Sequence, residues 1–417
     1  MPKPPIANRE LIRGINRSTV LSLIKSRGPV SRTDVARLSG LSLATVSGIT
    51  ADLIHESLVY EKEEGDSTGG RRPILLALNH SARYVIGIKL AEHQLIAALT
   101  DLNATVLLAS THALENGTDL HEAVRVLAQI VEELAAHAKV ERQKLIGVGI
   151  GLAGVIDSRG GLCRYSPILG WRDAPLRDLL QELIALPVYL DNDVHALTMA
   201  EKLFGAGQGV DDFITVTVGR GVGMGMVVNG QPFRGTRGGG GEFGHTVVDP
   251  AGPPCGCGKR GCLEAYVSDP AILRAARETA LRGGMPIAPQ DLGLEQVVAL
   301  ARAGNEAARR IFDEAGRVLG IGIANVINVF NPRLVIITGE GISAGSLLFD
   351  PMREAIQRYS FAGLDKDAEI VIQQWGDDAW ARGAASLVLQ EFFRAPVSSA
   401  EPLSDGRVKK GTAPPRQ

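Results

Sequence analysis

The sequence contains one dense cluster of metal-ligating residue types. His245 is followed by Cys255, Cys257 and Cys262 in the segment GEFGHTVVDPAGPPCGCGKRGCLEAY. Three thiolates and one imidazole satisfy a tetrahedral structural zinc site, and four protein ligands leave no position for a catalytic water. Because Cys-x-Cys is tighter than the usual zinc-finger spacing, reactive or incidental thiols remain an alternative. A disulfide between Cys255 and Cys257 would be strained in so short a loop.

Composition limits the class of protein. The chain has 417 residues, of which 45% are hydrophobic and 22% charged, a mixture typical of a soluble globular protein with more than one domain. It has only four cysteines, and the isolated Cys163 is expected to be buried and inert. No apolar run approaches the roughly 18 residues of a membrane span, and the first residues lack a secretory signal. These features exclude a membrane protein, a disordered chain and a collagen-like repeat, and we expect a cytoplasmic protein.

Charge is distributed unevenly along the chain. The formal net charge is -2, which gives no global reason to expect nucleic acid as a partner. Residues 1–55, however, contain eight basic and three acidic side chains. A cationic end can attract phosphate backbones, although a charged face is usually just a solvated face.

The pattern of this segment predicts a helix-turn-helix. Residues 11–24 carry apolar side chains at roughly helical spacing, and a Gly-Pro pair follows them. Ser31 stands three residues before an aspartate, the spacing of a capping box that opens a short helix, and Gly40 suits its left-handed end. Ser42 can cap a third helix over about 43–55. Two helices joined by a short turn containing glycine are typical of DNA-binding proteins.

The third helix is predicted to be the recognition helix. Val46, Ile49 and Leu53 fall on one side, which we expect to be buried. The other side carries residues small or polar enough to approach base edges in the major groove. These candidate DNA-binding residues are Ser42, Leu43, Ala44, Thr45, Ser47 and Thr50.

A hairpin after this helix is predicted to form a wing. Residues 58–63 and 73–78 are strand-like and flank the polar loop EGDSTGGRR. Arg71 and Arg72 lie at its tip, where they would reach phosphate or the minor groove. A small helical domain that contacts another protein is the alternative to this winged helix.

From about residue 84 the sequence is typical of α/β structure. The strand-like runs and intervening helical stretches, such as 120–138 and 306–330, imply two α/β lobes with a cleft between them. The segment 395–417 is rich in Pro and Ser with little to bury, and we expect it to be disordered.

Four segments together resemble the ROK family, named for repressors, uncharacterised frames and sugar kinases. They are GGGGEFGHTVVDPAGPPCGCGKRGCLEAYVS, LDNDVHALTMAEKLFG, TVGRGVGMGMVVNG and IGIANVINVFNPRLVIITGEG. The resemblance implies the two-lobed actin-like, ribonuclease-H-like fold of hexokinases, with zinc held by one His and three Cys. We therefore expect a winged helix-turn-helix domain over 1–80, a sugar-binding domain over 81–394 and a disordered tail over 395–417.

The resemblance also implies a set of sugar ligands. Carboxylates and an amide can accept from or donate to sugar hydroxyls, and the histidine would bind zinc through one ring nitrogen and a hydroxyl through the other. Without the resemblance, these carboxylates would be interpreted as solvated or salt-bridged. The segment SPILGW at 166–171 resembles the opposite wall of the pocket, with Ser where many family kinases have Asn. The implied ligands are Asn192, Asp193, Glu242, His245 and Glu264.

Phosphoryl transfer to a sugar is not expected. Family kinases carry Asp-x-Gly-Gly-Thr after a strand, where the turn amides meet the ATP phosphates and the Asp positions the metal. Here Lys89 stands in the place of that Asp, and the sequence AEH, with Glu92 at its centre, replaces Gly-Gly-Thr. Arg220 takes a position in the second phosphate loop that Thr usually holds. Asp193 matches the kinase base, but a group that orients a hydroxyl can equally bind it, so we assign no catalytic residue.

These features predict a sugar-responsive transcriptional repressor of carbohydrate uptake or catabolism genes. A homodimer or homotetramer would bind a pseudo-palindromic operator and release it when a sugar or sugar phosphate enters the cleft. Three alternatives stay open at this point. They are an ATP-dependent sugar kinase with an accessory DNA-binding domain, a regulator controlled by a protein partner, and activation in place of repression.

Overall fold

The computed structural model describes residues 9–62, 73–115, 117–374 and 379–394. These residues divide into two compact units, one within Met1–His80 and Glu391–Gln417 and the other within Ser81–Gln390. Arg71 and Arg72 of the predicted wing, and the tail predicted to be disordered, lie outside the described residues.

The part of the first unit within residues 9–78 contains three helices and a small sheet. The elements are α1 (Arg9–Arg27), β1 (Val30–Ser31), α2 (Arg32–Ser39), α3 (Leu43–His55), β2 (Val59–Lys62) and β3 (Leu75–Leu78). β3 is the central strand, and β1 and β2 pair with it as antiparallel neighbours. This order of elements is typical of a winged helix. The sequence pattern does not predict β1, because two residues are too few to show a period of two.

Local hydrogen bonds define the helix ends that the sequence predicts. The Ser31 hydroxyl accepts from the Asp34 amide at 3.1 Å, and Gly40 ends α2 with a φ of 71°. The Ser42 hydroxyl accepts from the Thr45 amide at 3.1 Å and opens α3. Each cap satisfies an amide that the first turn of a helix leaves unpaired. The predicted helices of this unit are confirmed.

The second unit contains two five-stranded sheets with the same topology. The first consists of β4 (Tyr84–Leu90), β5 (Gln94–Asp101), β6 (Val106–Ala113), β7 (Leu145–Leu152) and β11 (Val188–Asn192). The second consists of β12 (Phe213–Val218), β13 (Val222–Val228), β14 (Gln231–Phe233), β15 (Leu334–Thr338) and β16 (Glu369–Ile372). In each sheet, three consecutive antiparallel strands lie beside two strands parallel to the first, in the orders β11-β7-β4-β5-β6 and β14-β13-β12-β15-β16. The repeat confirms the predicted two-lobed, ribonuclease-H-like architecture.

Helices and a third, small sheet complete the second unit. The small sheet contains β8 (Val155–Asp157), β9 (Leu162–Tyr165) and β10 (Arg172–Ala174). The helices are α4 (Leu120–His137), α5 (Leu176–Ile184), α6 (Asp193–Phe204), α7 (Glu264–Val267), α8 (Asp269–Leu281), α9 (Leu294–Arg302), α10 (Glu306–Phe330), α11 (Ser346–Tyr359) and α12 (Ala379–Phe393). α6 contacts strands of both large sheets. Across the described ranges, no helix combines the length and apolarity needed to cross a lipid bilayer.

One apolar run of the sequence is divided between two strands in the structure. Residues 145–157 form one apolar run in the sequence, but β7 ends before Gly154 and β8 begins after it. Gly154 has a φ of 127°, and an added Cβ would lie 2.1 Å from the Tyr165 carbonyl oxygen. Only glycine fits this turn, so the run cannot continue as one strand.

Two glycines allow α12 to pack directly on the first large sheet. A Cβ added at Gly87 on β4 would lie 1.9 Å from the Ala381 carbonyl oxygen, and one at Gly149 on β7 would lie 1.9 Å from that of Ala384. Helix backbone therefore lies against strand backbone, which leaves no space for a side chain on either strand at these positions.

We expect Gly149→Ala to destabilise the protein by about 1–3 kcal/mol, because the methyl group must displace the backbone of α12. Urea unfolding measures the change in free energy. Gly239→Ala is the matched control, since a Cβ there would meet no heavy atom closer than 3.8 Å. Equal stability of the two variants would show that α12 is not packed this closely.

Candidate functional site

The exposed side of α3 carries most of the residues predicted to face DNA. Leu43 is 52% exposed, Ala44 and Thr45 are exposed beside it, and Ser47 is half-buried. Ser42 is also exposed, but its hydroxyl is already engaged as the cap of the helix. The side chains exposed toward a partner are therefore those of the first two turns after the cap, among which the Thr45 hydroxyl lies 2.8 Å from that of Ser42.

Thr50 is a correction to the predicted DNA-binding face. The opposite side of α3 packs into the core through Val46 and Ile49, as the spacing predicts, and Thr50 lies with them at 0% exposure. Its hydroxyl donates to the Ser47 carbonyl at 3.1 Å and accepts from Arg32 Nε at 3.1 Å. The expectation that Thr50 approaches base edges is wrong, because a residue four positions after Val46 lies on the same, buried side.

The N-terminal half of α1 extends the exposed face of α3. A groove of about 440 Å³ lies between them, lined by Arg9, Ile12, Arg13, Asn16, Ala44, Thr45, Gly48, Ile49 and Asp52. Arg13 forms an ion pair with Asp52 at 2.8 Å, and Arg17 forms one with Glu56 at 2.6 Å. Sequence reasoning missed this contribution of α1, although arginines at positions 9, 13 and 17 have the i, i+4 spacing of one helix face.

Part of the basic excess of the first unit is neutralised within it. Besides these two pairs, Arg32 pairs with Glu61 at 2.6 Å and Arg37 with Asp34 at 3.1 Å. Such exposed pairs add little stability, but they reduce the positive field that an approaching phosphate would meet. The count of basic residues therefore overstates the charge available to a nucleic acid.

The predicted metal ligands lie together in the second unit. The ligand atoms of His245, Cys255, Cys257 and Cys262 are all within 4.8 Å of one another. Cys257 Sγ lies 3.7 Å from Cys262 Sγ, and Cys255 Sγ lies 3.6 Å from His245 Nδ1. Burial, and then the neighbouring thiols, raise the pKa of Cys262 to about 12, so thiolates at this spacing require a cation. The four residues could hold a metal ion.

Asn192 and Asp193 lie where β11 ends and α6 begins. Asn192 Oδ1 accepts from the Val194 amide at 2.9 Å, and its Nδ2 donates to the Gly154 carbonyl at 3.1 Å. Asp193 Oδ2 lies 3.4 Å from Lys89 Nζ. The amide thus fixes the start of α6, and the carboxylate already has a cation beside it.

The other three predicted sugar ligands belong to the second lobe. Glu264 is the first residue of α7, and its Oε2 accepts from the Val222 amide at 3.0 Å while its Oε1 lies 4.0 Å from His245 Nδ1. Glu242 is exposed and immediately precedes the short 3-10 turn that ends at His245. Glu264 therefore lies between the metal-ligating cluster and the turn before β13.

Close packing of α6 on β13 brings the two groups of predicted ligands into one neighbourhood. A Cβ added at Gly223 would lie 2.6 Å from Val194 Cγ2. Val194 adjoins Asp193 in the chain, and Gly223 adjoins the Val222 amide that binds Glu264. The absence of a side chain at Gly223 is what permits this approach.

A buried charge network, which sequence reasoning missed, supports the same region. Asp191 is fully buried; its Oδ1 lies 3.2 Å from His195 Nδ1, and its Oδ2 accepts from Arg234 Nε at 2.5 Å. His195 Nε2 donates to the Gly240 carbonyl at 2.9 Å. Burial opposes ionisation, yet the hydrogen bond from His195 and the charge of Arg234 hold the pKa of Asp191 below its usual range. The i, i+4 spacing of Asp191 and His195 is the feature of the sequence that could have predicted their contact.

Lys89 lies between a carboxylate and an aromatic ring, both of which attract its positive charge. Its Nζ lies 3.4 Å from Asp193 Oδ2 and 3.2 Å from the ring centroid of Trp380, and its side chain is 14% exposed. Trp380 Nε1 in turn donates to Glu340 Oε1 at 3.2 Å. The two residues that the sequence comparison predicts at the positions of the kinase Asp and the kinase base are therefore paired with each other.

Glu92 and Arg220 form an ion pair with each other. Glu92 lies in the turn between β4 and β5, and Arg220 lies in the turn between β12 and β13, one in each lobe. The sequence marks both positions as departures from the kinase pattern but does not show that they meet. The opposite charges of the two residues are the one feature of the sequence from which this contact could have been predicted.

The segment 166–171 lies beside Asn192. Ser166 is fully buried, and a Cβ added at Gly154, whose carbonyl binds Asn192, would lie 2.9 Å from Ser166 Cα. Cys163 on the neighbouring β9 is also fully buried, and burial followed by the charge of Asp173 raises its pKa to about 11. The predicted buried position of Cys163 is confirmed.

Proteins of known family resemble this chain over most of its length. The model of the ROK family matches residues 85–391. The xylose repressor of Caldicellulosiruptor bescii is 32% identical, over 94% of this chain and 99% of its own. A crystal structure of a ROK family transcriptional regulator, a homologue of the E. coli MLC protein, matches with a TM-score of 0.81 and 29% identity over 92% of this chain and 97% of its own. A ROK family glucokinase from Streptomyces griseus, in complex with glucose and AMPPNP, matches with a TM-score of 0.62 and 30% identity over 73% of this chain and 98% of its own.

Proposed function

The chain belongs to the ROK family, and from that premise we propose that it is a sugar-responsive transcriptional repressor. The extent of similarity carries this proposal. The repressor and the regulator match over 94% and 92% of the chain, whereas the glucokinase matches over 73%, about the share of Ser81–Gln390. The helix-turn-helix unit is therefore what the chain shares with the regulators and not with the kinase.

In this proposal the first unit binds operator DNA. The exposed residues Leu43, Ala44 and Thr45, together with the half-buried Ser47, would enter the major groove as the N-terminal part of a recognition helix. Arg71 and Arg72 would contact phosphate or the minor groove from the wing. A homodimer or homotetramer would place two such helices on a pseudo-palindromic operator of carbohydrate uptake or catabolism genes.

The cleft of the second unit would bind the inducing sugar or sugar phosphate. Asn192 and Asp193 would meet its hydroxyls from the first lobe, and Glu242, His245 and Glu264 from the second. His245 Nδ1 lies beside the cysteines, which leaves Nε2 for a sugar hydroxyl. Release of DNA then requires that the sugar bind one conformation of the repressor more tightly than the other.

The spacing of the cysteine cluster fits a structural zinc ion. Tetrahedral zinc, with bonds of about 2.3 Å to sulfur and about 2.0–2.1 Å to nitrogen, holds two sulfurs about 3.8 Å apart and a sulfur and a nitrogen about 3.6 Å apart. The corresponding distances here are 3.7 Å and 3.6 Å. When bound, zinc would neutralise the thiolates and fix the turn that carries His245.

The proposal assigns no kinase activity to the chain. Lys89 is committed to Asp193, and the pair of Glu92 and Arg220 occupies the turns where a kinase would receive ATP phosphates. A Cβ added at Gly219 would lie 2.4 Å from Glu340 Oε2, so a carboxylate also borders the second turn. The acidic side chain at each turn would repel the negatively charged phosphates of ATP.

Gly48→Glu should abolish operator binding, because it places a negative charge in the middle of the exposed face of α3. The fold should tolerate the change, since a Cβ at Gly48 meets no heavy atom within 4 Å. Fluorescence anisotropy on DNA from upstream of the gene measures the affinity. Ser26→Glu, on the exposed last turn of α1, is the control and should retain binding to within a fewfold. Retained binding by Gly48→Glu would remove α3 from the interface.

Asp193→Ala should leave DNA binding intact and weaken the response to sugar about 10- to 100-fold, the usual loss when a hydrogen bond to a charged group is removed. The measurement is the sugar concentration that releases half of the bound operator DNA. Asp313→Ala, on the exposed side of α10, is the control and should respond as the wild type does. A variant at position 193 that dissociates normally would show that the assigned pocket is wrong.

The full chain should purify with one zinc ion, and Cys257→Ser should lose it together with several degrees of thermal stability. Elemental analysis by mass spectrometry gives the metal content. Cys163→Ala removes a thiol outside the cluster and should retain the zinc, although its cavity will cost some stability. Equal zinc content in the two variants would contradict the assignment.

A further inference from the structure

Two acidic residues border the turn between β12 and β13 in addition to those already assigned to sugar. Glu340 lies against Gly219, and the Asp269 amide donates to the Gly219 carbonyl at 2.8 Å. Burial, and then the charge of Glu340, raise the pKa of Asp269 to about 6. Burial and a neighbouring negative charge both disfavour the ionised form of a carboxyl group.

Carboxylates outnumber cations at this end of the cleft. The contacts above place five acidic residues there, Glu92, Asp193, Glu264, Asp269 and Glu340. The exposed Glu242 precedes the short turn that carries His245. Lys89 and Arg220 are the cations that these contacts place among the five acidic residues, and each already faces a carboxylate. Lys259 donates to the His245 carbonyl at 3.2 Å, but its charge lies beside the Cys257 thiol. A cluster of three thiolates with one divalent ion would add one further negative charge.

Lys89 is poorly placed to receive a phosphate. Its ammonium group is held between the Asp193 carboxylate and the face of Trp380, and little of the side chain reaches solvent. A phosphate could bind it only by displacing Asp193, which would then face the phosphate as a like charge. Arg220 is more exposed at 64%, but a phosphate there would have to displace Glu92 in the same way.

We infer that the ligand of this cleft is an uncharged sugar and that Lys89 and Arg220 act as counter-ions of the protein's own carboxylates. The inference rests on the proposed function and narrows its ligand class. A terminal phosphate would add two negative charges beside these carboxylates, where Lys89 and Arg220 already have carboxylate partners. Neutral sugar hydroxyls, in contrast, can donate hydrogen bonds to these carboxylates.

Isothermal titration calorimetry of the full chain tests this with D-xylose, D-glucose, N-acetyl-D-glucosamine and the 6-phosphates of the two hexoses. We expect one of the free sugars to bind at least tenfold more tightly than either phosphate. If a 6-phosphate binds more tightly than its parent sugar, the inference is overturned and the proposed function stands. If none of the five compounds binds, the proposed function fails, and the inference fails with it.

Glu92→Gln tests the counter-ion assignment directly. The variant leaves Arg220 without its partner, so affinity for the 6-phosphate of the binding hexose, or of glucose if xylose is the ligand, should rise about tenfold while affinity for the free sugar is unchanged. Salt should reduce this gain, because it screens an exposed charge. Glu182→Gln, on the exposed side of α5, is the matched control and should bind all five compounds as the wild type does. Unchanged phosphate affinity in Glu92→Gln would overturn the role given to Arg220.

Discussion

The candidate sugar site depends on the compensation of one buried charge. A carboxylate as deeply buried as that of Asp191 costs several kcal/mol unless hydrogen bonds and opposite charges offset the loss of water. His195 supplies one partner from α6, and Arg234, just after β14, supplies the other. The ligand residues of the first lobe follow Asp191 directly in the chain, and those of the second follow the glycine-rich loop that His195 binds. The hydrogen bonds and the opposite charge that compensate Asp191 therefore also help to position the candidate ligands of both lobes.

The two lobes share the architecture of a ROK family kinase, and the proposed function gives the phosphate turns a different use. A kinase must keep these turns open and attractive to anions, so that electrostatic stabilisation is available when phosphate transfers. Here the turns carry side chains of opposite charge that neutralise each other without a nucleotide. If the chain transfers no phosphate, as proposed, the binding energy of such a cleft is not needed for a transition state. It is available to favour one conformation of the protein over another, which is what a sugar-responsive regulator requires.

Local signals in the sequence predict local structure well and pairings across the fold poorly. α3 at 43–55 and α10 at 306–330 were predicted with the bounds that the structure shows, because capping residues and apolar periodicity act within one element. The metal-ligating cluster was predicted because its residues lie within 18 positions of one another. The pairing of Glu92 with Arg220 depends on two turns far apart in sequence, and no local pattern encodes it. Thr50 was misassigned because its polarity suggested exposure, although its spacing from Val46 placed it in the core.

The carboxylate of Glu264 could transmit the effect of a structural metal ion to a sugar that the ion does not contact. One oxygen of its carboxylate holds the Val222 amide at the start of β13, and the other lies 4.0 Å from both His245 Nδ1 and Cys255 Sγ. A divalent ion in the cluster would attract this carboxylate and limit its rotation, while a sugar hydroxyl would compete for the same oxygens. In the proposed function, the metal, the sugar and the turn between β12 and β13 would thus all act on this one side chain. Under the same proposal, a change in its orientation would reach Arg220 through Val222 and Gly221, and so would act on the ion pair between Arg220 and Glu92.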